Sequence, residues 1–154
     1  MKPELQKQIV EKFPKIFKMV GSTPQESCMA WGLAVGDGWY KLIHELCRDL
    51  QHNTDDNNQP QVVAAQVKEK FGGLRFYVNS ATDKQYGAID FAETLSYSIC
   101  ECCGSMKDVG QTRGWIVTLC QECATKENKK LVKDENGGAS YYTEFPDQEK
   151  EDEN

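Results

Sequence analysis

Histidine is scarce in this chain of 154 residues, and long apolar runs are missing from it. His44 and His52 are the only histidines, and neither has an acid or a second histidine at a spacing typical of a catalytic set. No apolar segment approaches the roughly 20 residues that span a bilayer. The N-terminus also lacks the apolar core of a signal peptide. The sequence therefore predicts a protein that is neither exported nor embedded in a membrane.

Positive charge is also in short supply. The chain has 18 lysines and arginines against 24 aspartates and glutamates, which gives a formal net charge of −6. Most of this excess lies in residues 144–154, where six acidic residues accompany only Lys150. High charge with almost no apolar content predicts a disordered acidic tail. The near-neutral remainder lacks the strongly basic surface of a dedicated DNA-binding protein.

Cysteine, by contrast, is plentiful. The chain has seven cysteines, an odd number that favours reduced thiols and a metal over a disulfide framework where no export signal is seen. Two Cys-x-x-Cys pairs stand sixteen residues apart, a spacing typical of a Cys₄ zinc site. We therefore predict one structural Zn²⁺, with a redox dithiol or buried unliganded thiols as the alternatives. The predicted ligands are Cys100, Cys103, Cys120 and Cys123. The other three, Cys28, Cys47 and Cys102, are interpreted as small packing residues.

Apolar spacing predicts two helices in the first part of the chain. The first covers residues 3–13, and the second follows Asp37, which is predicted to be its N-cap. The segments 21–38 and 51–60 are rich in small or polar residues without periodicity, so both are predicted to be loops.

Residues 61–79 alternate between apolar and polar side chains, which predicts a β-hairpin that turns at Gly72-Gly73. The predicted register buries Val63, Val67 and Phe76 and turns Lys68 and Lys70 away from the core. The basic and aromatic second face is interpreted as a solvated or helix-covered surface. Binding of single-stranded nucleic acid by this face is the less favoured alternative.

A long helix is predicted to begin at Thr82 or Asp83 and to run to about Ile99, directly into the first cysteine pair. Its buried stripe is predicted to include Tyr86, Phe91 and Tyr97 at its edges.

Between the cysteine pairs, residues 109–111 and 115–119 predict two short strands, and a helix is expected from Ala124 to Val132 or Lys133. A knuckle, a hairpin and a ligand pair that opens a helix form the layout of a treble-clef finger; a zinc ribbon is the alternative. The predicted fold class is α+β, with helices packed on a β-hairpin. The predicted parts are a core of residues 1–99, a zinc finger of residues 100–143 packed on it, and the tail of residues 144–154.

Lysines in the last predicted helix recur at helical spacing and would form one basic stripe. The stripe consists of Lys126, Lys129, Lys130 and Lys133, with Arg113 as a possible neighbour. Such a stripe can contact phosphates, so these residues are candidates for binding nucleic acid. A solvated helix face explains the same pattern.

Three segments resemble a family of small, mostly uncharacterised proteins of bacteriophages and prophages. They are Gly36-Asp37-Gly38-Trp39, the string from Val67 to Tyr77, and Gly114-Trp115 before Thr118-Leu119-Cys120. The resemblance spans residues 28–123, and it implies a phage-type gene product that acts in the cytoplasm of a bacterial host. It also implies that Cys102 is a variable position within the knuckle, which favours Cys100 and Cys103 as ligands.

The sequence favours a non-enzymatic function. Four thiolates would close the zinc coordination shell and leave no position for substrate. The leading hypothesis is a zinc-stabilised accessory protein, a protein-interaction module that modulates a host machine, with a bacterial host or phage protein as its partner. The alternative is a nucleic-acid-binding zinc-finger protein.

Overall fold

The computed structural model describes residues 1–112, 114–133 and 139–142, and it describes residues 130–133 and 139–142 by their backbone only. Within these residues the chain is a mixed α+β protein, as predicted. The helices are α1 (Pro3–Lys12), α2 (Tyr40–Asp56), α3 (Asp83–Ser96) and α4 (Gln121–Lys126). The strands are β1 (Leu33–Ala34), β2 (Ala64–Lys70), β3 (Gly73–Val78), β4 (Val109–Gln111), β5 (Thr118–Cys120), β6 (Lys130–Lys133) and β7 (Ala139–Tyr142). Across the described ranges, no helix combines the length and apolarity needed to cross a bilayer.

The main core forms where the three long helices meet a small sheet. The sheet has the order β1-β2-β3, with β1 parallel to β2 and β2 antiparallel to β3. Helix α3 contacts β3 and α2, and α2 in turn contacts α1. Trp39, Phe17 and Phe76 are among the largest fully buried side chains in this core. A separate, smaller apolar cluster lies around the cysteine pairs.

The hairpin of β2 and β3 has the predicted register. Val67 and Phe76 are cross-strand partners and both are buried, whereas Lys70 is exposed. The turn lies one residue earlier than predicted, because Phe71 and Gly72 are its central residues, with φ of +53° and +75°. Two left-handed residues define a type I′ turn, whose twist matches that of the strands. An irregularity near the start of β2 places Ala64 in the core.

Helix α3 begins at the predicted cap. The Thr82 hydroxyl accepts a hydrogen bond from the Gln85 amide, and the Gln85 side chain accepts one from the Thr82 amide, which completes a capping box. Gln85 is buried, and its side-chain amide also donates to the carbonyl oxygen of Pro60 over 2.9 Å. The cap therefore fixes both the start of α3 and its position against the preceding segment.

Replacing Thr82 with alanine should lower the free energy of unfolding by about 1 kcal/mol, because one amide of the first turn loses its partner. Urea unfolding followed by circular dichroism measures the change. Thr82→Ser keeps the hydroxyl and should behave as the parent protein. Equal stability of the alanine and serine variants would show that the cap does not stabilise α3.

The outer edges of α3 differ from the prediction. Tyr86, Phe91 and Tyr97 were predicted to join the buried stripe, but they are 41%, 68% and 36% exposed. Two polar residues, Gln85 and Ser96, are buried in the stripe, because each is satisfied by hydrogen bonds. The Ser96 hydroxyl accepts from the Leu74 amide and donates to the Glu93 carbonyl oxygen. The buried face of α3 therefore includes polar residues. A face assigned from apolar residues alone points in a different direction around the helix axis.

Both predicted loops contain regular structure. Residues 51–56 continue α2, with Asn53 buried and the carbonyl oxygen of Asn53 accepting from the Gln59 amide. The Asn53 amide group donates to the Asp49 carbonyl oxygen, and the Thr54 hydroxyl donates to that of Leu50. In the earlier loop, β1 adds two residues to the sheet beside β2. A strand of two residues is too short to show an alternation of apolar and polar side chains, so the sequence pattern does not predict β1.

Asp37 is not the N-cap of α2, which was its predicted role. It begins a short 3₁₀ turn that precedes α2. Its carboxylate instead accepts a hydrogen bond from the backbone amide of Lys2 over 2.7 Å and lies 3.3 Å from the Lys2 ammonium. The lowered pKa of Asp37 has this amide hydrogen bond as its largest cause. Asp37 thus fastens the start of α1, at a sequence distance that no local pattern indicates.

Candidate metal centre

The first cysteine pair forms a tight knuckle just after α3. Gly104 has a φ of +79°, and its amide donates to the carbonyl oxygen of Cys100 over 2.8 Å. The backbone amides of Cys103, Cys120 and Cys102 favour the thiolate form of Cys100. Backbone donors that converge on a sulfur stabilise its thiolate form. The glycine is required here because a left-handed residue closes the knuckle.

The second pair lies at the junction of a strand and a helix. Cys120 ends β5, which pairs with β4, and its extended backbone forms the N-cap of α4. Cys123 lies in the first turn of that helix and is buried. The backbone amide of Cys123 favours the thiolate form of Cys120. The hairpin of β4 and β5 therefore carries the second pair back to the knuckle.

The sulfur atoms of the four predicted ligands all lie within 4.8 Å of one another, and this group can hold a metal ion. The Sγ atoms of Cys103 and Cys120 are 3.6 Å apart. Tetrahedral zinc with bonds of about 2.3 Å places its sulfurs about 3.8 Å apart, whereas a disulfide requires about 2.05 Å. The geometry fits an ion and does not fit a bonded pair. Cys102 is exposed and outside the group.

The thiols of this cluster differ in their ionisation. Burial raises the pKa of Cys100, and burial together with the neighbouring thiols raises that of Cys123. Burial also opposes ionisation of Cys120, but hydrogen bonds from the Cys123 amide and the nearby thiols outweigh it and lower the pKa. Four thiolates at this distance repel one another, so a cation is needed to hold all of them ionised.

The knuckle packs directly on the core through the segment Gly36-Asp37-Gly38-Trp39. The Gly38 amide donates to the Glu101 carbonyl oxygen over 2.8 Å, and the Gly36 amide donates to the Glu101 carboxylate over 2.9 Å. The buried Trp39 indole donates to the carbonyl oxygen of Ile99 over 2.9 Å. A Cβ at Gly38 would overlap the Cys100 carbonyl oxygen and lie 2.5 Å from the Gly104 nitrogen. The contact between Gly36-Asp37-Gly38 and the knuckle was not predicted from the sequence. The only sequence signal for such a close approach of two backbones is the pair of glycines, Gly36 and Gly38.

A second contact joins the cysteine-bearing hairpin to the core hairpin. The buried Thr118 hydroxyl donates to the carbonyl oxygen of Gly72 over 2.5 Å. Gly72 lies in the turn between β2 and β3, where an added Cβ would lie 2.7 Å from the Gln111 side chain. The cysteine-bearing segment is thus held against the core at two places, the knuckle and this turn.

The predicted lysine stripe is wrong, because α4 ends at Lys126. Asn128 has a φ of +56°, the Asn128 amide donates to Thr125, and the Lys129 amide donates to Ala124. These are the two hydrogen bonds of a Schellman motif, which ends a helix. Lys129 pairs with Glu127, and Lys130 and Lys133 belong to β6. Arg113 and the predicted tail lie outside the described residues.

Comparison of the chain with protein-family models, curated proteins and solved structures finds no match.

Proposed function

We propose that this chain is a non-enzymatic protein-interaction module whose four clustered cysteines hold one structural zinc ion. Zinc is the metal that best suits four thiolates in a tetrahedral arrangement, and four protein ligands leave no open position for substrate. The order of knuckle, hairpin and helix-opening cysteine pair supports a finger of the treble-clef type. In this proposal the metal stabilises the fold, and the partner binds to a surface away from the four cysteines.

The observation that carries the interaction proposal is an apolar groove between α2 and α3. This helix groove has a volume of about 210 Å³ and is lined by Leu46, Leu95 and Phe91, with Glu45 and Asp49 at its edge. Phe91 is 68% exposed although it is a large apolar side chain. Exposed aromatic residues beside an apolar groove are typical anchors of protein interfaces.

The charges at the edge indicate the chemistry of the partner. Glu45 pairs with Arg48, whereas Asp49, one helical turn further along α2, has no ion-pair partner among the described residues and leaves a negative charge at the groove. An amphipathic helix with apolar anchors and a basic flank would match both features. We infer that the partner is such a segment of a bacterial host or phage protein, which the resemblance to small phage proteins supports, and that the two meet in the host cytoplasm.

Replacing Phe91 with alanine should weaken binding of the partner by about 30-fold or more, the effect of losing a central anchor. The partner is captured from bacterial lysate, identified by mass spectrometry, purified, and titrated against each variant by calorimetry. Phe71→Ala is the matched control, because Phe71 is 66% exposed but lies on the β2–β3 turn, outside the helix groove. A partner that binds the Phe91 variant as tightly as the parent protein would refute this surface.

Nucleic-acid binding is the second candidate function. The helix predicted to carry the lysine stripe ends at Lys126, but another basic and aromatic surface favours nucleic-acid binding.

A further inference from the structure

A second groove lies where the core meets the cysteine-bearing hairpin. This junction groove has a volume of about 430 Å³, and its walls are the β2–β3 turn and the turn between β4 and β5. Phe71 stands on the first wall and Trp115 on the second, and they are 66% and 83% exposed. Ile116 completes the apolar lining, and Lys68 and Lys70 supply positive charge. Trp115 is the most exposed of the large apolar side chains in the described residues.

Both aromatic residues stand on turns that hydrogen bonds hold in place. Phe71 occupies a left-handed position of a type I′ turn, where asparagine or glycine is the usual residue. A residue held in an unfavourable backbone conformation is often found at a binding site. On the other wall, the Thr112 hydroxyl donates to the Trp115 carbonyl oxygen over 2.6 Å and accepts from the Val117 amide over 2.8 Å. The Thr118–Gly72 hydrogen bond joins the two walls.

Lys68 and Lys70, which line the junction groove, can bind an anion. The Lys70 ammonium lies 5.4 Å from the centre of the Phe71 ring, and the Lys68 ammonium lies 5.9 Å from that of Tyr77. Neither lysine forms an ion pair with a carboxylate in the described part of the chain.

Other charged groups of the described residues lie close to these lysines. The Glu69 carboxylate, which also lines the groove, accepts the Gly72 amide, a neutral donor, over 2.6 Å. Arg75 lies across from Lys68 but donates to the Leu74 carbonyl oxygen and the Tyr97 hydroxyl, with Glu93 at 3.9 Å. Among the described lining residues, Lys68 and Lys70 against Glu69 therefore leave a net positive charge.

We propose that the junction groove binds single-stranded nucleic acid, with bases stacked on Phe71 and Trp115 and phosphates on Lys68 and Lys70. Exposed rings next to cations match the alternation of flat bases and charged phosphates along a strand. A duplex does not fit, because its bases are already paired and stacked. This activity goes beyond the protein-interaction proposal, since it uses a different surface.

Fluorescence anisotropy of a labelled 12-nucleotide oligothymidine, titrated with the full chain containing its metal, tests the site. We expect a dissociation constant of about 1–100 µM. Trp115→Ala and Phe71→Asn should each weaken binding about five- to 150-fold, the effect of losing one stacking partner. Asparagine is chosen at position 71 because it tolerates the left-handed backbone and keeps the turn. Trp115→Phe retains a ring and should retain most of the affinity.

Phe91→Ala is the matched control for these variants, because Phe91 is as exposed as Phe71 but lies in the helix groove. It should bind oligothymidine like the parent protein while losing the protein partner, so the two proposals can fail separately. Binding that is absent at 200 µM protein, or equal in the Trp115→Ala, Phe71→Asn and parent proteins, would overturn the junction groove as a nucleic-acid site.

Salt dependence supplies an independent readout. Two phosphate contacts on a single strand predict that log K falls with log salt at a slope of about −1.4, or about sevenfold between 50 and 200 mM. Replacing Lys68 and Lys70 with glutamine should bring the slope close to zero. A much steeper slope would place the binding on another basic surface and reject the proposal.

Two competing ligands complete the experiment. An unlabelled 12-base-pair duplex should not displace oligothymidine; displacement at equal concentration would count against stacking. A 12-residue peptide of alternating aspartate and phenylalanine represents a protein ligand for the same groove. If that peptide binds in a Trp115-dependent manner and oligothymidine does not, the groove is a peptide site and the proposal is wrong.

Discussion

Removing the metal, or replacing Cys120 with serine, should unfold residues 100–133 and leave the main core folded. Binding of structural zinc contributes roughly 10–16 kcal/mol in small peptides. A whole domain is typically stable by only about 5–15 kcal/mol. The apolar cluster around the cysteines is small, consisting of Leu119 and Ala124 beside three buried cysteines. Such a cluster cannot replace the metal, so the segment should lose its structure with the ion.

The main core should survive because its apolar residues belong to a separate cluster contributed by the helices α1–α3 and the sheet. Hydrogen exchange measured by mass spectrometry, before and after chelation, resolves the two parts. Amides of β4 and β5 should lose protection, whereas those of α2 should keep it. Cys102→Ser is the control, because Cys102 is exposed and outside the sulfur cluster. Retained protection of β5 in the Cys120 variant, or loss in the Cys102 variant, would contradict the assignment.

Replacing Gly38 with alanine should lower the free energy of unfolding by about 3 kcal/mol or more. The added methyl would overlap the backbone of the knuckle at Cys100 and Gly104, and neither backbone can move without breaking the Gly38–Glu101 hydrogen bond. Overpacking against rigid backbone costs about 1–3 kcal/mol, to which the lost hydrogen bond adds. Urea unfolding measures the difference, and hydrogen exchange of the Gly36 amide, which donates to the Glu101 carboxylate, reports whether the knuckle has separated from the core.

Gly87→Ala provides a matched control for the Gly38 substitution. Gly87 lies within α3, and an added Cβ would contact nothing within 4 Å. Alanine there should stabilise the protein by about 0.5–1 kcal/mol, because glycine is unfavourable inside a helix. A Gly38 variant as stable as the Gly87 variant would mean that the core and the knuckle do not approach closely.

Much of the local structure was predictable because its causes are local. Alternation of apolar residues buries Val67 and Phe76 on one face of the hairpin, and the Thr82–Gln85 capping box lies within four residues. The spacing of the cysteine pairs predicted which four sulfurs cluster, because a knuckle places two sulfurs on one side of a short turn. In each case, one short segment contains all the groups that interact.

The mistakes arose where distant or side-chain hydrogen bonds decide the structure. Helix α2 continues through Asn53 and Thr54, where Asn53 is buried and Thr54 bonds to Pro60, in a segment whose composition is typical of a loop. Asp37 bonds to Lys2 rather than to its own helix. The left-handed Asn128 ends α4 although the lysines that follow keep a helical spacing. These contacts leave no periodic pattern of apolar residues in the sequence, so the sequence does not predict them.

The junction groove depends on tertiary structure alone. Phe71 and Trp115 are 44 positions apart, and they share a groove because Thr118 bonds to Gly72. Sequence analysis found the basic residues Lys68 and Lys70 but lacked the second aromatic wall. The cysteine-bearing segment, which contains Trp115, thus contributes directly to this surface.

X-ray absorption spectroscopy at the zinc edge of the purified full chain tests the proposed Cys₄ zinc site. We expect one zinc per chain with four sulfur ligands at about 2.3 Å and no nitrogen or oxygen ligand. Cys102→Ser should give the same spectrum, whereas Cys123→Ser should lose one sulfur or the whole ion. A chain purified without zinc, or a first shell with fewer than four sulfurs, would contradict the Cys₄ site.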